Sequence, residues 1–294
     1  MKKYLVLFAQ GFAAMIGFVI SLMISNMLSP LSQSIVENAP TSGFLSMPVA
    51  MLFNGITNAV ILIWAARRSS FKGFKLFGQL FVLSFFVQTF QTQIETGYFL
   101  SSFPLLQGNF ELYRLILRGF ITSALFALLV IWFTGGFSKA EHSAARFTVN
   151  TDRAVKHSAW LAVVYFALYL LFGYYVAWQS HDLRVFYGGP VQLNSFVEQW
   201  LTTLMSKPEM PVFQYFRGVI WILCLIPLFK GFTGKRVELV ILSALALGLL
   251  PSAQLALANP LMPATVSYYH FWEVSISTGI FGALCAWYIP QEIA

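Results

Sequence analysis

Charge is scarce in this chain: 18 Lys and Arg and 11 Asp and Glu are spread over 294 residues, and the mean hydropathy is +0.71. A soluble domain carries about a quarter charged residues, so water cannot be the main solvent here. Cysteine is nearly absent. The two present, Cys224 and Cys285, fall inside apolar runs with no CxxC or Cys/His spacing beside them, which argues against a disulfide framework or a cysteine zinc site and leaves buried, inert thiols. There is no GxSxG, P-loop, GxGxxG or HExxH pattern, so nothing in the motifs points to nucleotide-driven work or to a familiar zinc centre. The formal charge of +7 comes without a dense basic stripe, and no nucleic-acid partner is expected.

What is plentiful is apolar and aromatic: 30 Phe, 12 Tyr and 8 Trp. The apolar residues collect in runs of about 20, the length that crosses a hydrocarbon core of about 30 Å at about 1.5 Å per residue. The expected architecture is all-α, one integral membrane domain over 1–294, with about eight transmembrane helices at 5–28, 44–66, 76–99, 112–134, 158–178, 212–229, 238–256 and 268–289. The N-terminal run after Lys2 and Lys3 resembles a secretory signal, but it is long and closes on no convincing small-x-small site, so it reads as a retained first helix. Lys2, Lys3, Arg67, Arg68, Lys72, Lys75, Lys139, Arg146, Arg153, Lys156, Lys230, Lys235 and Arg236 fall on one set of connections, 13 of the 18 basic residues. By the positive-inside rule that set is cytoplasmic, which places both termini inside.

The longest outer connection runs over 179–211. Within it Leu193, Phe196, Val197, Trp200, Leu201, Leu204 and Met205 recur every three or four residues, opposite Gln192, Asn194, Glu198, Gln199, Thr202 and Thr203. The spacing predicts a short amphipathic helix over 193–206, started by Asn194 or Ser195 and stopped at Lys207-Pro208. Such a helix lies in the outer interface, as an anchor packed on the bundle or as a lid over a cavity.

Ionisable side chains inside apolar spans cost about 2.5–3.5 kcal/mol at mid-membrane, so each asks for a partner or a task. Glu95, Arg114, Arg118, Arg217, His270 and Glu273 all fall within about 10 Å of the outer helix ends, counted at about 1.5 Å per residue. Gln88, Gln91, Thr92 and Glu95 form one stripe, Arg114 and Arg118 are i,i+4, and His270 and Glu273 are i,i+3; Asn54 and Asn58 add a polar pair deeper in the second span. Three readings follow. The carboxylates neutralise two arginines and fix helix packing, as in a structural or accessory subunit. Alternatively the surplus arginines, with Gln88 and Gln91, line an outward-facing pocket of spans three, four, six and eight that binds or transports an anionic or lipid-like molecule. In the third, Glu95, His270 and Glu273 form a divalent-metal or acid/base site of a membrane-embedded hydrolase or transferase. His142 and His157 fall in the cytoplasmic loop and His181 beside Asp182 in the outer one, as solvated side chains. A short echo relates Leu117-Arg118-Gly119-Phe120-Ile121 to Phe216-Arg217-Gly218-Val219-Ile220.

Four segments, Gln91-Thr92-Gln93-Ile94-Glu95-Thr96, Phe172-Gly173-Tyr174-Tyr175-Val176-Ala177-Trp178-Gln179 with Arg184 and Tyr187-Gly188-Gly189, Phe213-Gln214-Tyr215-Phe216-Arg217-Gly218, and Asn259-Pro260-Leu261-Met262-Pro263 with His270-Phe271-Trp272-Glu273, together resemble a family of bacterial multi-pass inner-membrane proteins with no assigned activity. The resemblance implies a bacterial inner membrane and one continuous domain, and no particular reaction. The eight-helix plan with a buried glutamate and histidine is also similar to that of the glutamate-dependent CAAX-type intramembrane proteases. Their paired glutamates are absent here: Glu95 is followed by Thr96.

Overall fold

The computed structural model describes residues 2–107, 110–137 and 144–293, with only the backbone of 2–5, 7 and 8. Lys139 and His142 lie outside the described residues. The chain is helical almost throughout: α1 (Lys2–Leu28), α2 (Gln33–Glu37), α3 (Met47–Arg67), α4 (Gly73–Phe81) running through a π-helical stretch (Val82–Phe90) into α5 (Gln91–Tyr98), α6 (Glu111–Thr134), α7 (Thr151–Tyr175), α8 (His181–Phe186), α9 (Phe196–Ser206), α10 (Met210–Gly231), α11 (Arg236–Ala253) and α12 (Ala264–Tyr288).

Among the described residues seven helices are long and apolar enough to cross a membrane, so this is a multi-pass, all-α membrane protein. The eighth predicted span is the 25-residue helix α12. At about 1.5 Å per residue it is long enough, but Ser267, Tyr268, Tyr269, His270, Glu273, Ser275, Ser277 and Thr278 dilute its apolar character, and it is not one of the seven. The sequence places the fifth span at 158–178, whereas α7 begins at Thr151, because the Asn150 side chain accepts from the Arg153 N–H at 3.1 Å and caps the helix earlier. His157 consequently sits on that helix rather than in a loop, its Nδ1 accepting from the Trp160 indole at 3.0 Å.

Spans α3 and α11 are the most buried and α7 the least, so the first two form the centre of the bundle. The most extensive helix pair is α11 with α12. With apolar lipid around it, a helix pair gains little from hydrophobicity and depends on close approach and on hydrogen bonds. Small residues permit both: a Cβ on Gly248 would lie 2.6 Å from the Ser275 carbonyl oxygen, and the Thr278 hydroxyl donates across the pair to the Leu247 carbonyl at 2.6 Å. The glycines of the sequence echo mark two further close approaches, Gly119 against Thr89 and Gly218 against Ala162 and Tyr165.

The basic end of the bundle is tied together rather than merely solvated. Arg68 pairs with Glu238 at 2.5 Å, and Arg153 donates to the Tyr288 carbonyl at 2.9 Å. Arg236 donates to the Trp287 and Pro290 carbonyls, and two short strands, β1 (Phe147–Thr148) and β2 (Gln291–Glu292), pair antiparallel. At the opposite end lie the tips of α5, α7 and α11, the starts of α10 and α12, and the two short helices α8 and α9.

Candidate functional site

The rod from α4 to α5 positions the first group. Its π stretch leaves the Gln88 carbonyl open to outside donors, and it accepts from the Gln254 amide at 3.0 Å and the Thr92 hydroxyl at 3.1 Å. π turns in helices often sit at functional sites, and this one is braced by stacked rings, Phe81 on Phe77 and on Phe85. One turn further, Glu95 meets Arg217 of α10 in a two-pronged ion pair, Nη1 to Oε1 at 2.7 Å and Nη2 to Oε2 at 2.8 Å. Arg217 also donates to the Gln214 side-chain oxygen at 2.9 Å and the Gln91 carbonyl at 3.2 Å. Gln91 returns a bond from its amide to the Arg217 carbonyl at 3.1 Å. The stripe read in the sequence is therefore a brace between α5 and α10.

The second group joins α12 to the segment after α8. The imidazole of His270 contacts Glu273 Oε2 through Nδ1 at 2.8 Å and the Tyr187 hydroxyl through Nε2 at 3.0 Å. Burial, and then the charges of Glu95 and Glu273, raise the Tyr187 pKa far above the ordinary phenol value. Nδ1 faces the carboxylate and Nε2 the hydroxyl, and the proton between Nε2 and the Tyr187 oxygen can sit on either. The result is a carboxylate-oriented imidazole bonded to a hydroxyl, the arrangement that serves general acid–base chemistry.

Arg184 holds Tyr187 in place. It is 6% exposed, and its guanidinium donates to the Trp178, Gln179, Pro190 and Val191 carbonyls at 2.7, 3.2, 3.1 and 2.9 Å. Gly188 follows Tyr187 with φ +69°, a conformation that favours glycine, and turns the chain back toward the bundle.

Between these groups lies a cavity of about 570 Å³, inside the range of about 300–1,000 Å³ typical of small-molecule sites. Glu95, His270 and Glu273 all line it, together with Thr92, Gln93, Thr96, Tyr169, Trp178, Tyr187, Trp200, Lys207 and Gln254. A side chamber of about 30 Å³ continues past Glu95 and Glu273 to Arg217, Tyr165 and Trp221, room for about one water.

The sequence expectation is corrected in several places. The walls come from spans three, five, seven and eight, from the loop bearing α8 and α9 and from the connections after α5 and between α11 and α12; span four contributes only Leu115 and span six only Met210. Arg114 is outside the cavity, paired at 2.9 Å with Glu111, which is itself buried. Arg118 is also outside and makes no hydrogen bond or ion pair among the described residues. Gln88 and Gln91 are buried behind the wall. Glu95, His270 and Glu273 share the cavity, yet among the described residues no group of three His, Cys, Asp or Glu side chains is set to hold a metal ion: Arg217 occupies both oxygens of Glu95, and Glu273 occupies one nitrogen of His270. His181 and Asp182, 3.6 Å apart, are exposed and do not reach the cavity.

Helix α9 exists where the periodicity predicts it, capped by Ser195, but the predicted stripes are split: Phe196, Trp200 and Leu204 of the apolar one are partly covered, and Glu198 and Thr202 of the polar one are exposed. Val197, Leu201 and Met205 point outward, while Gln199, Trp200, Thr203 and Ser206 line the cavity. Hydropathy alone misses the residues that give the cavity its character, Trp178, Tyr187, Trp200, Gln93, Gln199 and Lys207. The available signal was tryptophan and tyrosine close to glutamine in the connections. Lys207 is the cation in the wall, its ammonium 4.5 Å from the centre of the Phe99 ring. No protein-family model, curated protein or solved structure matches the chain.

Proposed function

We propose that the protein crosses a bacterial inner membrane eight times, α12 being the eighth crossing, with both termini inside, and that its outer cavity binds or moves an amphiphilic small molecule. The observation that carries the reading is the cavity itself, gathered at the end of the bundle opposite Arg68, Arg153 and Arg236. Its wall is divided: Phe103, Leu115, Leu257, Leu261 and Met262 offer apolar surface, and Thr92, Gln93, Asn194, Gln199 and Gln254 offer hydrogen bonds. Such a division suits a molecule with a tail and a head. The arginines do not make it an anion site, since Arg217 is engaged by Glu95 and Arg114 and Arg118 lie elsewhere. Lys207 is the positive charge available to a negative head.

The test is a cavity-filling substitution. Gly173 lines the cavity, and a Cβ there would lie 3.7 Å from Trp200, an ordinary contact; Gly173→Leu therefore fills space without displacing backbone. Protein purified into phospholipid nanodiscs and examined by native mass spectrometry should retain an amphiphile that Gly173→Leu loses. Equal retention by both would overturn the reading.

The Tyr187–His270–Glu273 chain favours a second reading, in which the bound molecule is also hydrolysed or transferred by acid–base chemistry. His270→Gln and Tyr187→Phe would then leave the amphiphile bound but unconverted. If wild type and both variants hold the same unaltered molecule, the cavity is a binding site only.

A further inference from the structure

At the cavity end of the spans, Glu95 is paired with Arg217, Glu273 with His270 and Arg114 with Glu111. Arg118 is left over. It lies about two turns into α6, within a helix apolar enough to cross a membrane. It is half-buried, and among the described residues it makes no hydrogen bond, ion pair or ring contact. Glu111, the one carboxylate of α6, is spent on Arg114 and on the Ser32 N–H. A guanidinium does not give up its proton, so Arg118 keeps a full charge that apolar surroundings penalise until an anion answers it.

The setting of Arg118 indicates where that anion comes from. Helices α1 and α6 run antiparallel, joined by the Thr122 hydroxyl donating to the Ser25 hydroxyl at 2.7 Å and the Ser29 hydroxyl donating to the Arg114 carbonyl at 3.3 Å. Residue 118 falls between these two bonds. At about 100° per residue, it leaves α6 on the side of the seam turned away from Gly119, which packs on Thr89 of the π stretch. That side continues into exposed apolar residues, Leu117 of α6 and Ile24 and Leu28 of α1, a surface for lipid. Arg114 stands one turn nearer the helix start. Its Nη1 is spent on Glu111 and the Pro30 carbonyl, and among the described residues its Nε and Nη2 carry no bond. Side chains at i,i+4 start about 5–6 Å apart, and guanidinium groups meet phosphate oxygens in two-pronged fashion. We infer that Arg118, with the unused edge of Arg114, binds the phosphate of an anionic phospholipid in the seam between α1 and α6. The site lies outside the cavity and does not depend on what the cavity holds. A zwitterionic lipid fits less well, because Glu111 is already spent and its ammonium group would go unanswered. A free phosphate ion has the same oxygens but would have to leave water for a surface bordered by Ile24 and Leu28.

The test takes Lys207→Gln as its parent, so that the cavity's own cation cannot hold the lipid. Phosphatidylglycerol and phosphatidylcholine with the same tails are offered at equal proportion in nanodiscs and read by native mass spectrometry. Phosphatidylglycerol should be retained about tenfold over phosphatidylcholine, a difference of about 1.4 kcal/mol. Adding Arg118→Gln should remove most of that preference, and Arg118→Lys should keep part of it, since an ammonium meets phosphate as a point charge. Arg118 holds no other residue in place, so Arg118→Gln should unfold no earlier than the parent in phosphatidylcholine, and phosphatidylglycerol should raise the Tm of the parent alone. No preference in the parent, or a preference that Arg118→Gln leaves unchanged, would overturn the inference. Loss of the preference to an excess of inorganic phosphate would overturn it too, by making the site one for a free anion. None of these outcomes bears on the cavity, which is decided by Gly173→Leu.

Discussion

The brace between Glu95 and Arg217 should respond unequally to loss of its two halves. Arg217 uses four of its five N–H groups, on Glu95, Gln214 and Gln91, and its side chain is 5% exposed against 29% for Glu95. Glu95→Gln strands a guanidinium that cannot release its proton and has almost no access to solvent. Breaking a buried pair this way costs about 3–5 kcal/mol. Arg217→Met strands a carboxylate that borders the cavity and can take up water or a proton, so the cost should be nearer about 1–3 kcal/mol. The double variant removes both charges, and two residues in direct contact couple by about 0.5–3 kcal/mol. It should therefore be more stable than Glu95→Gln alone. Reversible unfolding in mixed micelles, followed by tryptophan fluorescence under one set of conditions, gives the four stabilities. An Arg217→Met variant at least as damaged as Glu95→Gln, or strict additivity in the double, would refute the assignment of the burial penalty to the arginine.

Arg184→Lys exchanges a fork that meets four carbonyls for a single ammonium; the loop over 178–191 should loosen by about 1–3 kcal/mol, seen as faster amide exchange there with α11 unchanged. Gly282→Leu would drive a side chain into the Ser243 backbone and should cost about 1–3 kcal/mol, whereas Gly11→Ala, with nothing within 4 Å of the new Cβ, should gain up to about 1 kcal/mol of helix propensity. Both native cysteines are buried, so Ser195→Cys and Thr148→Cys supply single reporters. A membrane-impermeant thiol reagent added outside should reach the first only, and labelling of both would overturn the proposed orientation.

The helices were legible because their signal is local: a run of apolar residues has a length, and the length has a meaning in a bilayer. The position of the charged residues along their helices was legible for the same reason. Their partners were not. Helical spacing shows that Arg114 and Arg118 share a face but not which way the face turns, and α6 turns it away from the cavity toward Glu111. That glutamate is the first residue of α6, just before the predicted span, and its burial depends on how the 28–37 segment folds across it, with the Ser32 N–H donating to Glu111 at 3.3 Å. Arg184 was invisible as a structural residue because its partners are backbone carbonyls, which leave no trace in side-chain chemistry. Which residues of α9 meet the cavity was not legible, because amphipathicity records only that two sides differ. In water the apolar side goes in; beside lipid the polar side can, provided there is a polar cavity to receive it.

The setting of α9 ties the architecture to the chemistry. Val197, Leu201 and Met205 are exposed on α9 while Gln199 and Thr203 line the cavity, so the same helix forms part of its wall. Its loop partners, Tyr187 from the Arg184-stapled turn and Lys207 at its own C-terminal end, come with it. The rigid elements contribute the paired charges, Glu95 with Arg217 and His270 with Glu273, and these are satisfied whether or not anything is bound. Among the wall residues, those with a buried polar atom lacking a partner among the described residues are Gln93 on α5 and Trp178, Gln199 and Trp200 on or beside the short connections. A displacement of α9 would therefore break few internal polar bonds to the bundle: the Tyr174 hydroxyl donating to the Asn194 carbonyl at 2.6 Å is one, and the aromatic contacts of Phe196 and Trp200 make up much of the rest. The paired charges fix the frame, and α9 is the part of the cavity wall least bound to it.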